Sequence, residues 1–296
     1  MTEPPERIDA LPALPPRKRD GHKGDYGRVL VVGGSRGMTG AVALAANAAL
    51  RGGAGLATFA APETVQLAAA SLCPCATSIP LACDADGQLA AEAIRQFRKA
   101  AEAADVLAVG PGLTTGTRQR DLVRAAIEQD KPLVLDADGL NNLARLDGWP
   151  ALRRCPLVLT PHPGEFARLT GRSIDEIQAA REPAAVDAAR QWSAAADHAG
   201  PLVLLLKGDG TVVTDGRRVR INETGNPGMA TGGSGDVLTG LLAALLAQGL
   251  PPFDAAALAA HLHGRAGDLA AEHLSQPALV ATDLLHFLPA AIKEVC

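Results

Sequence analysis

The stretch Asn226-Pro-Gly-Met-Ala-Thr-Gly-Gly-Ser-Gly-Asp236 closes a cluster of glycines on a single carboxylate and runs directly into an apolar helical segment. Gly232, Gly233, Ser234 and Gly235 can turn several backbone N–H groups toward one point, and a helix beginning near Asp236 adds its positive dipole end there. Such a place holds a phosphate while it is transferred. An acid beside an anion hole is repelled by the anion, so it belongs there only if it accepts a proton or meets a cation. Asp236 is therefore a candidate catalytic base, with Gly233, Ser234 and Gly235 as candidate donors to the phosphoryl group. Taken alone, the same residues suit a plain turn in which Asp236 caps the helix.

The elements that position this cluster follow from the pattern of the chain. Short β-branched or leucine-rich runs alternate with alanine-rich helical stretches: Arg28–Val32, a helix from about Thr39 to Arg51, Leu56–Ala60, Val106–Val109, Leu133–Leu135, Leu157–Leu159 and Val203–Leu206. That alternation predicts an α/β domain with parallel strands. Leu202–Lys207, Thr211–Thr214 and Arg218–Asn222, separated by Gly208-Asp-Gly210 and Asp215-Gly216, predict an antiparallel meander on the sheet edge, followed by helices over about Asp236–Gln248 and Asp254–Glu272. Residues 1–20, with Pro4, Pro5, Pro12, Pro15, Pro16 and the run Arg17-Lys-Arg19, read as an extended or partly disordered, solvated arm. Residues 21–296 then form one domain.

Composition narrows the functional classes. The 296 residues are 47% hydrophobic, 20% charged and only 3% aromatic, which predicts a core of Ala, Leu and Val on closely packed helices. The net charge of −4 is spread without a basic stripe, so nucleic acid is not an expected partner. Five cysteines without Cys-x-x-Cys spacing indicate neither a disulfide framework nor a zinc site, and Cys73-Pro-Cys75 reads as an irregular strand edge. The N-terminus has no apolar signal core, and Val237–Leu250 is shorter than the ~18 residues of a membrane span. A soluble, cytoplasmic protein with no membrane partner is expected.

In an open parallel sheet ligands sit outside the carboxyl ends of the strands, and several of these loops are loaded. Gly33-Gly-Ser35-Arg-Gly37-Met-Thr-Gly40-Ala41 follows the first predicted strand, but its glycine spacing does not fit a dinucleotide fingerprint. Gly110-Pro-Gly112, Asp136-Ala-Asp138-Gly-Leu-Asn141 and Thr160-Pro-His162-Pro-Gly-Glu165 follow three later ones. Singly these suit a turn, a helix cap and a surface loop. Their joint placement at strand ends points to a site. Lys207, at another strand end, is a natural phosphate partner.

The combination of Lys23-Gly-Asp25-Tyr-Gly27, Gly33-Gly-Ser35, Thr160-Pro-His-Pro-Gly-Glu165, Lys207-Gly208 with Thr211, and Asn226 through Asp236 resembles the ADP-dependent NAD(P)H-hydrate dehydratases, from about Lys23 to the C-terminal helices. The resemblance implies a ribokinase-like three-layer sandwich, with a mostly parallel central sheet flanked by helices and an antiparallel edge meander. It implies a repair reaction in which hydrated (6S)-NADHX or NADPHX is dehydrated to NAD(P)H while ADP becomes AMP and phosphate. The epimerase domain fused in some members has no room here, which implies the stand-alone dehydratase, and the family tends to homotetramers. Carried over residue by residue, Ala41, Gly112, His162 and Asp236 would hold the hydrated cofactor. Lys207, Gly208, Asp209, Gly210, Thr211 and Gly235 would hold ADP or AMP. Glu165 would hold Mg²⁺ through water, since related kinases use an Asn-x-x-Glu arrangement at this place. His162 stands where those kinases have asparagine, which favours the dehydratase. The chain departs from many members at Thr114, where they continue with glycine. Two other classes stay open: an ATP-dependent kinase of a thiazole- or pyrimidine-type vitamin precursor alcohol, and a nucleotide sensor without turnover.

Overall fold

The computed structural model describes residues 3–296. Its strands are β1 (Glu6–Arg7), β2 (Arg28–Val32), β3 (Leu56–Pro62), β4 (Thr77–Leu81), β5 (Val106–Val109), β6 (Leu133–Leu135), β7 (Leu157–Leu159), β8 (Leu202–Leu206), β9 (Thr211–Thr214) and β10 (Arg218–Asn222). They form one 10-stranded sheet in the order β1-β10-β9-β8-β7-β6-β5-β2-β3-β4. Pairing is parallel from β4 through β8. It turns antiparallel across β8, β9 and β10. The mostly parallel sheet with an edge meander is thus the expected one. It reads out so clearly because strands buried on both faces become unbroken apolar runs, of which fully buried Leu202–Leu206 is an example.

The helices are α1 (Thr39–Arg51), α2 (Glu63–Leu72), α3 (Ala91–Glu102), α4 (Thr117–Ile127), α5 (Asp138–Leu143), α6 (Trp149–Leu152), α7 (Pro163–Thr170), α8 (Ile174–Ala179), α9 (Arg181–Ala194), α10 (Ser234–Ala247), α11 (Pro252–Leu274) and α12 (Ala281–Lys293). Alternate strand residues sort them into two layers. Val29 and Val31 face a core shared with α1, α2, α10, α11 and α12. Leu30 and Val32 face a second core shared with α3 through α9. The first layer is built from small residues: a Cβ added to Gly240 of α10 would lie 1.9 Å from the Ala45 carbonyl oxygen of α1, so these two helices are in backbone contact.

Two expectations change. The arm does not run free: β1 adds to the sheet edge beside β10, with Glu6 N–H donating to Arg217 C=O and Ile8 N–H to Val219 C=O. Ile8 and Leu14 pack on the core, and Arg17 lies over the Tyr26 ring at 4.1 Å. Edge strands offer unpaired backbone groups, and the arm covers those of β10. Cys73-Pro-Cys75 is the turn between α2 and β4, with Cys73 buried and Cys75 exposed. Among the described residues no helix is long and apolar enough to cross a membrane.

Candidate functional site

Strand order reverses between β2 and β5, and the loops leaving these two strands lock together at the carboxyl edge of the sheet. Gly34 N–H donates to Pro111 C=O at 2.8 Å, and a Cβ on Gly33 would lie 2.1 Å from that same oxygen. Gly110, with φ 133°, touches the next loop, where its Cβ would lie 1.8 Å from Asp136 C=O. Gly112, with φ 65°, sits against α1, its would-be Cβ 3.0 Å from the Ala41 methyl. Ala41 and Gly112 are thereby brought together. Thr114 takes φ 62°, a left-handed conformation that costs a β-branched residue. Asp138 accepts from its N–H at 2.9 Å and Asn142 donates to its C=O at 2.8 Å, which holds the strained turn.

The charged centre lies where β6, β7 and β8 end. Lys207 Nζ donates to Asp136 Oδ1 at 2.5 Å and lies 3.9 Å from Glu165 Oε2. Asp136 is buried and its Oδ2 accepts from Thr239 Oγ1 of α10 at 2.8 Å. Burial works against the ammonium of Lys207, yet Asp136 and Glu165 outweigh it and hold its pKa above the ordinary value. Gly235 completes the contact, because a Cβ there would lie 3.3 Å from both Asp136 Oδ2 and Lys207 Nζ.

His162 caps α7: its Nδ1 accepts from the N–H groups of Gly164 and Glu165, while Glu165 Oε2 accepts from His162 N–H at 2.9 Å. This reciprocal box explains why His and Glu stand three apart at a helix start. Burial, with help from the Lys207 charge, lowers the His162 pKa. Burial raises that of Glu165 to about 7 against the pull of Lys207. Asp236 is raised to about 7 as well, through burial first and then through the Asp136 charge. One ammonium therefore serves several crowded carboxylates.

Helix α10 starts at Ser234, two residues earlier than expected, with Gly233 at φ 90° as its N-cap. Asp236 lies inside the first turn and no side chain caps the helix, so the plain capped turn is excluded. The Gly235 and Asp236 N–H groups have no partner among the described residues. They are free to receive an anion. Gly233 is pressed on α1, where a Cβ would lie 2.7 Å from Leu44 Cδ1, one turn beyond Ala41.

Helix α11 pins the glycine loop at both ends. Asp268 accepts from Gly225 N–H at 2.9 Å and from Asn226 Nδ2 at 3.0 Å, and His263 Nε2 donates to Ser234 C=O at 2.9 Å. Burial lowers the His263 pKa to about 4, which keeps the ring neutral.

The Lys207–Thr211 segment is the turn between β8 and β9. Thr211 Oγ1 donates to Gly208 C=O at 2.8 Å, and Gly208 and Gly210 take φ 141° and 60°. Arg181 Nη2 donates to the carbonyls of Leu206 and Lys207. Lys207 points into the charged centre, whereas Gly208 and Asp209 lie outward and exposed. Asp136 was visible in the sequence as a strand-end acid but not as the partner of Lys207. Thr239 had a weak signal, a lone hydroxyl in an apolar run. His263, Asp268 and Arg181 had none, since nothing local distinguishes them from other polar helix residues.

The model of a family described as NAD(P)H-hydrate dehydratase matches residues 29–290. The chain is 49% identical over 285 residues to the bifunctional NAD(P)H-hydrate repair enzyme Nnr of Moorella thermoacetica, covering 95% of this chain and 52% of that protein. It is 36% identical over 276 residues to the Escherichia coli enzyme of the same name, covering 93% and 49%. The chain thus spans about half the length of these relatives. Among solved structures, the ADP/ATP-dependent NAD(P)H-hydrate dehydratase of Bacillus subtilis, co-crystallized with ATP and Mg²⁺, superposes with a TM-score of 0.77 at 31% identity over 96% of this chain and 95% of that one. A hydroxyethylthiazole kinase of Pyrococcus horikoshii, at TM-score 0.58 and 18% identity over 90% and 89%, shares the fold alone. With a ribokinase-like fold and a family match over most of its length, the chain belongs to the NAD(P)H-hydrate dehydratase family.

Proposed function

We propose that this chain dehydrates (6S)-NADHX and NADPHX to NADH and NADPH, with ADP as phosphoryl donor and AMP and phosphate as products. The observation that carries the proposal is Asp236: a half-buried carboxyl raised to about 7, in the first turn of a helix with no side-chain cap, where the Gly235 and Asp236 N–H groups are open to an anion. A base poised near the working pH is what proton removal from a hydroxyl needs.

Hydroxide leaves poorly, so phosphorylation precedes elimination. The ring hydroxyl of the hydrated nicotinamide, seated by Ala41, Gly112 and His162, gives its proton to Asp236 as its oxygen attacks the β-phosphorus of ADP. The bond from that phosphorus to the α,β-bridging oxygen breaks and AMP departs. Gly233 and Gly235 would stabilise the transferring group through backbone N–H donors, whereas the Ser234 N–H donates to Thr231 C=O and leaves its hydroxyl as the group Ser234 can offer. The phosphorylated ring then loses phosphate, which takes up the proton released by the neighbouring ring carbon, and the new ring double bond restores the dihydronicotinamide. Lys207 neutralises the nucleotide phosphates, and Gly208, Asp209, Gly210, Thr211 and Gly235 hold the rest of ADP.

Mg²⁺ fits the donor set as a hydrated ion. Asp136, Glu165 and Asp236 share one ammonium, that of Lys207, so the carboxylates outnumber the positive charge beside them. Glu165 would accept from the ion's water shell, and Mg²⁺ when bound would offset charge on the phosphates. The proposal includes one catalytic unit over residues 21–296 and a cytoplasmic setting, as expected from the sequence, and a homotetrameric assembly, as the family resemblance implies. Donor choice tests the function: phosphate release from ADP with hydrated NADH is expected. Turnover of ATP with thiazole or pyrimidine alcohols in its place would overturn it.

A further inference from the structure

The loop after β2, at Ser35 and Arg36 ahead of Ala41, and the loop after β5, just past Gly112, enclose a small space. It is a cleft of about 60 Å³ bordered by Ser35 and Arg36, by Gln88 of the turn ahead of α3, and by Thr114 and Gln119. It has room for a phosphate-sized group and none for a base with its sugar. Two of its groups lack partners. The Ser35 hydroxyl is buried without a hydrogen bond. Buried polar groups are nearly always paired, so this donor is kept for something absent. The Arg36 guanidinium reaches across to Gly87, where its Nη2 lies 3.4 Å from the position of an added Cβ, yet it makes no hydrogen bond or ion pair among the described residues. Asp84 of that turn has its Oδ1 engaged by the N–H groups of Asp86 and Gln88 and makes no ion pair with Arg36. Gly37 on the same loop has open space where a side chain would stand, so a ligand can approach the backbone.

We propose that this cleft binds a phosphate ester of the dinucleotide substrate, with Arg36 and Ser35 as its ligands; the assignment rests on the proposed dehydratase reading. A dinucleotide with its nicotinamide against the joined Ala41 and Gly112 would extend along both loops, and Thr114 follows Gly112 by two residues, so the cleft is within reach of its phosphates. A guanidinium and a hydroxyl are complementary to a phosphate, and neither would serve a neutral ring. Both the pyrophosphate bridge and the 2′-phosphate of the NADP form offer this chemistry.

The test compares wild type with Arg36→Ala and Arg36→Lys on hydrated NADH and hydrated NADPH. Arg36 is exposed, so the variants are expected to fold, and an unchanged Tm verifies it. A rise in KM of about tenfold for Arg36→Ala, partly restored in Arg36→Lys, is expected. If the rise is confined to the NADPH hydrate, the cleft takes the 2′-phosphate; if equal for both hydrates, it takes the pyrophosphate. An unchanged KM for both, or a change in the KM for ADP alone, overturns the proposal. Binding of unhydrated NADPH, followed by its fluorescence, keeps the two failures apart. Wild type that binds NADPH but dehydrates nothing contradicts the function, whereas Arg36→Ala that binds as tightly as wild type contradicts the cleft.

Discussion

At Asp236, burial in the first turn of α10 favours the neutral acid and the Asp136 charge adds to the shift, giving a pKa of about 7. The base works only when ionised, so kcat/KM is expected to rise about tenfold per pH unit below 7 and to level above it. A profile flat from the ordinary carboxylate range upward would remove Asp236 from the proton transfer. Gly235 is the second sensitive position, because a methyl there meets Lys207 Nζ and Asp136 Oδ2 at 3.3 Å. Gly235→Ala is expected to raise the KM for ADP about tenfold while the fold survives, as binding curves and thermal melts together would establish. The candidate base and Lys207 were legible as residue types in loops. Their pairing was not, since the contact of Lys207 with Asp136 joins residues far apart in sequence.

Helices α1 and α10 approach so closely that no side chain separates Gly240 from the Ala45 carbonyl. Gly240→Ala is expected to cost about 1–3 kcal/mol by overpacking, read as a fall in Tm. An unchanged Tm would mean that the two helices are not held at that distance. Helix α11 acts on the site through its polar face, where Asp268 holds Gly225 and Asn226 and His263 holds Ser234. Asp268→Ala is expected to lower kcat about tenfold with little change in Tm, because it frees the loop and leaves the core intact. A loss of Tm without loss of kcat would make Asp268 a structural pin only. Strands β2 and β5 to β10 were readable to within a residue, because apolar runs bounded by glycine and aspartate leave little freedom. The start of α10 was misplaced because Gly233, at φ 90°, caps it through backbone conformation and not through a side chain. The pairing of β1 on β10 had no signal at all, since two residues among prolines carry no pattern.

Across the molecule the site stores unfavourable charge that the fold must bear. Asp236 and Glu165 both have folded-state pKa values raised to about 7 from ordinary values of 3.8 and 4.5. Between those limits the folded state binds more protons than the unfolded chain, so their contribution to stability is greatest at the acid end and is lost as pH rises toward 7. Thermal stability is expected to fall over that window, and Asp236→Asn is expected to flatten the slope and to raise Tm at neutral pH. A variant that melts lower than wild type would contradict the strained carboxylate. Stability is given up where chemistry is done. The same substitution provides the most direct measurement of function: recovery of dihydronicotinamide absorbance from hydrated NADH and ADP, measured beside ADP binding. Wild type is expected to restore the cofactor, and Asp236→Asn to bind ADP normally while losing about 10²- to 10⁴-fold in turnover. An Asp236→Asn protein that turns over like wild type would contradict the assignment of the base.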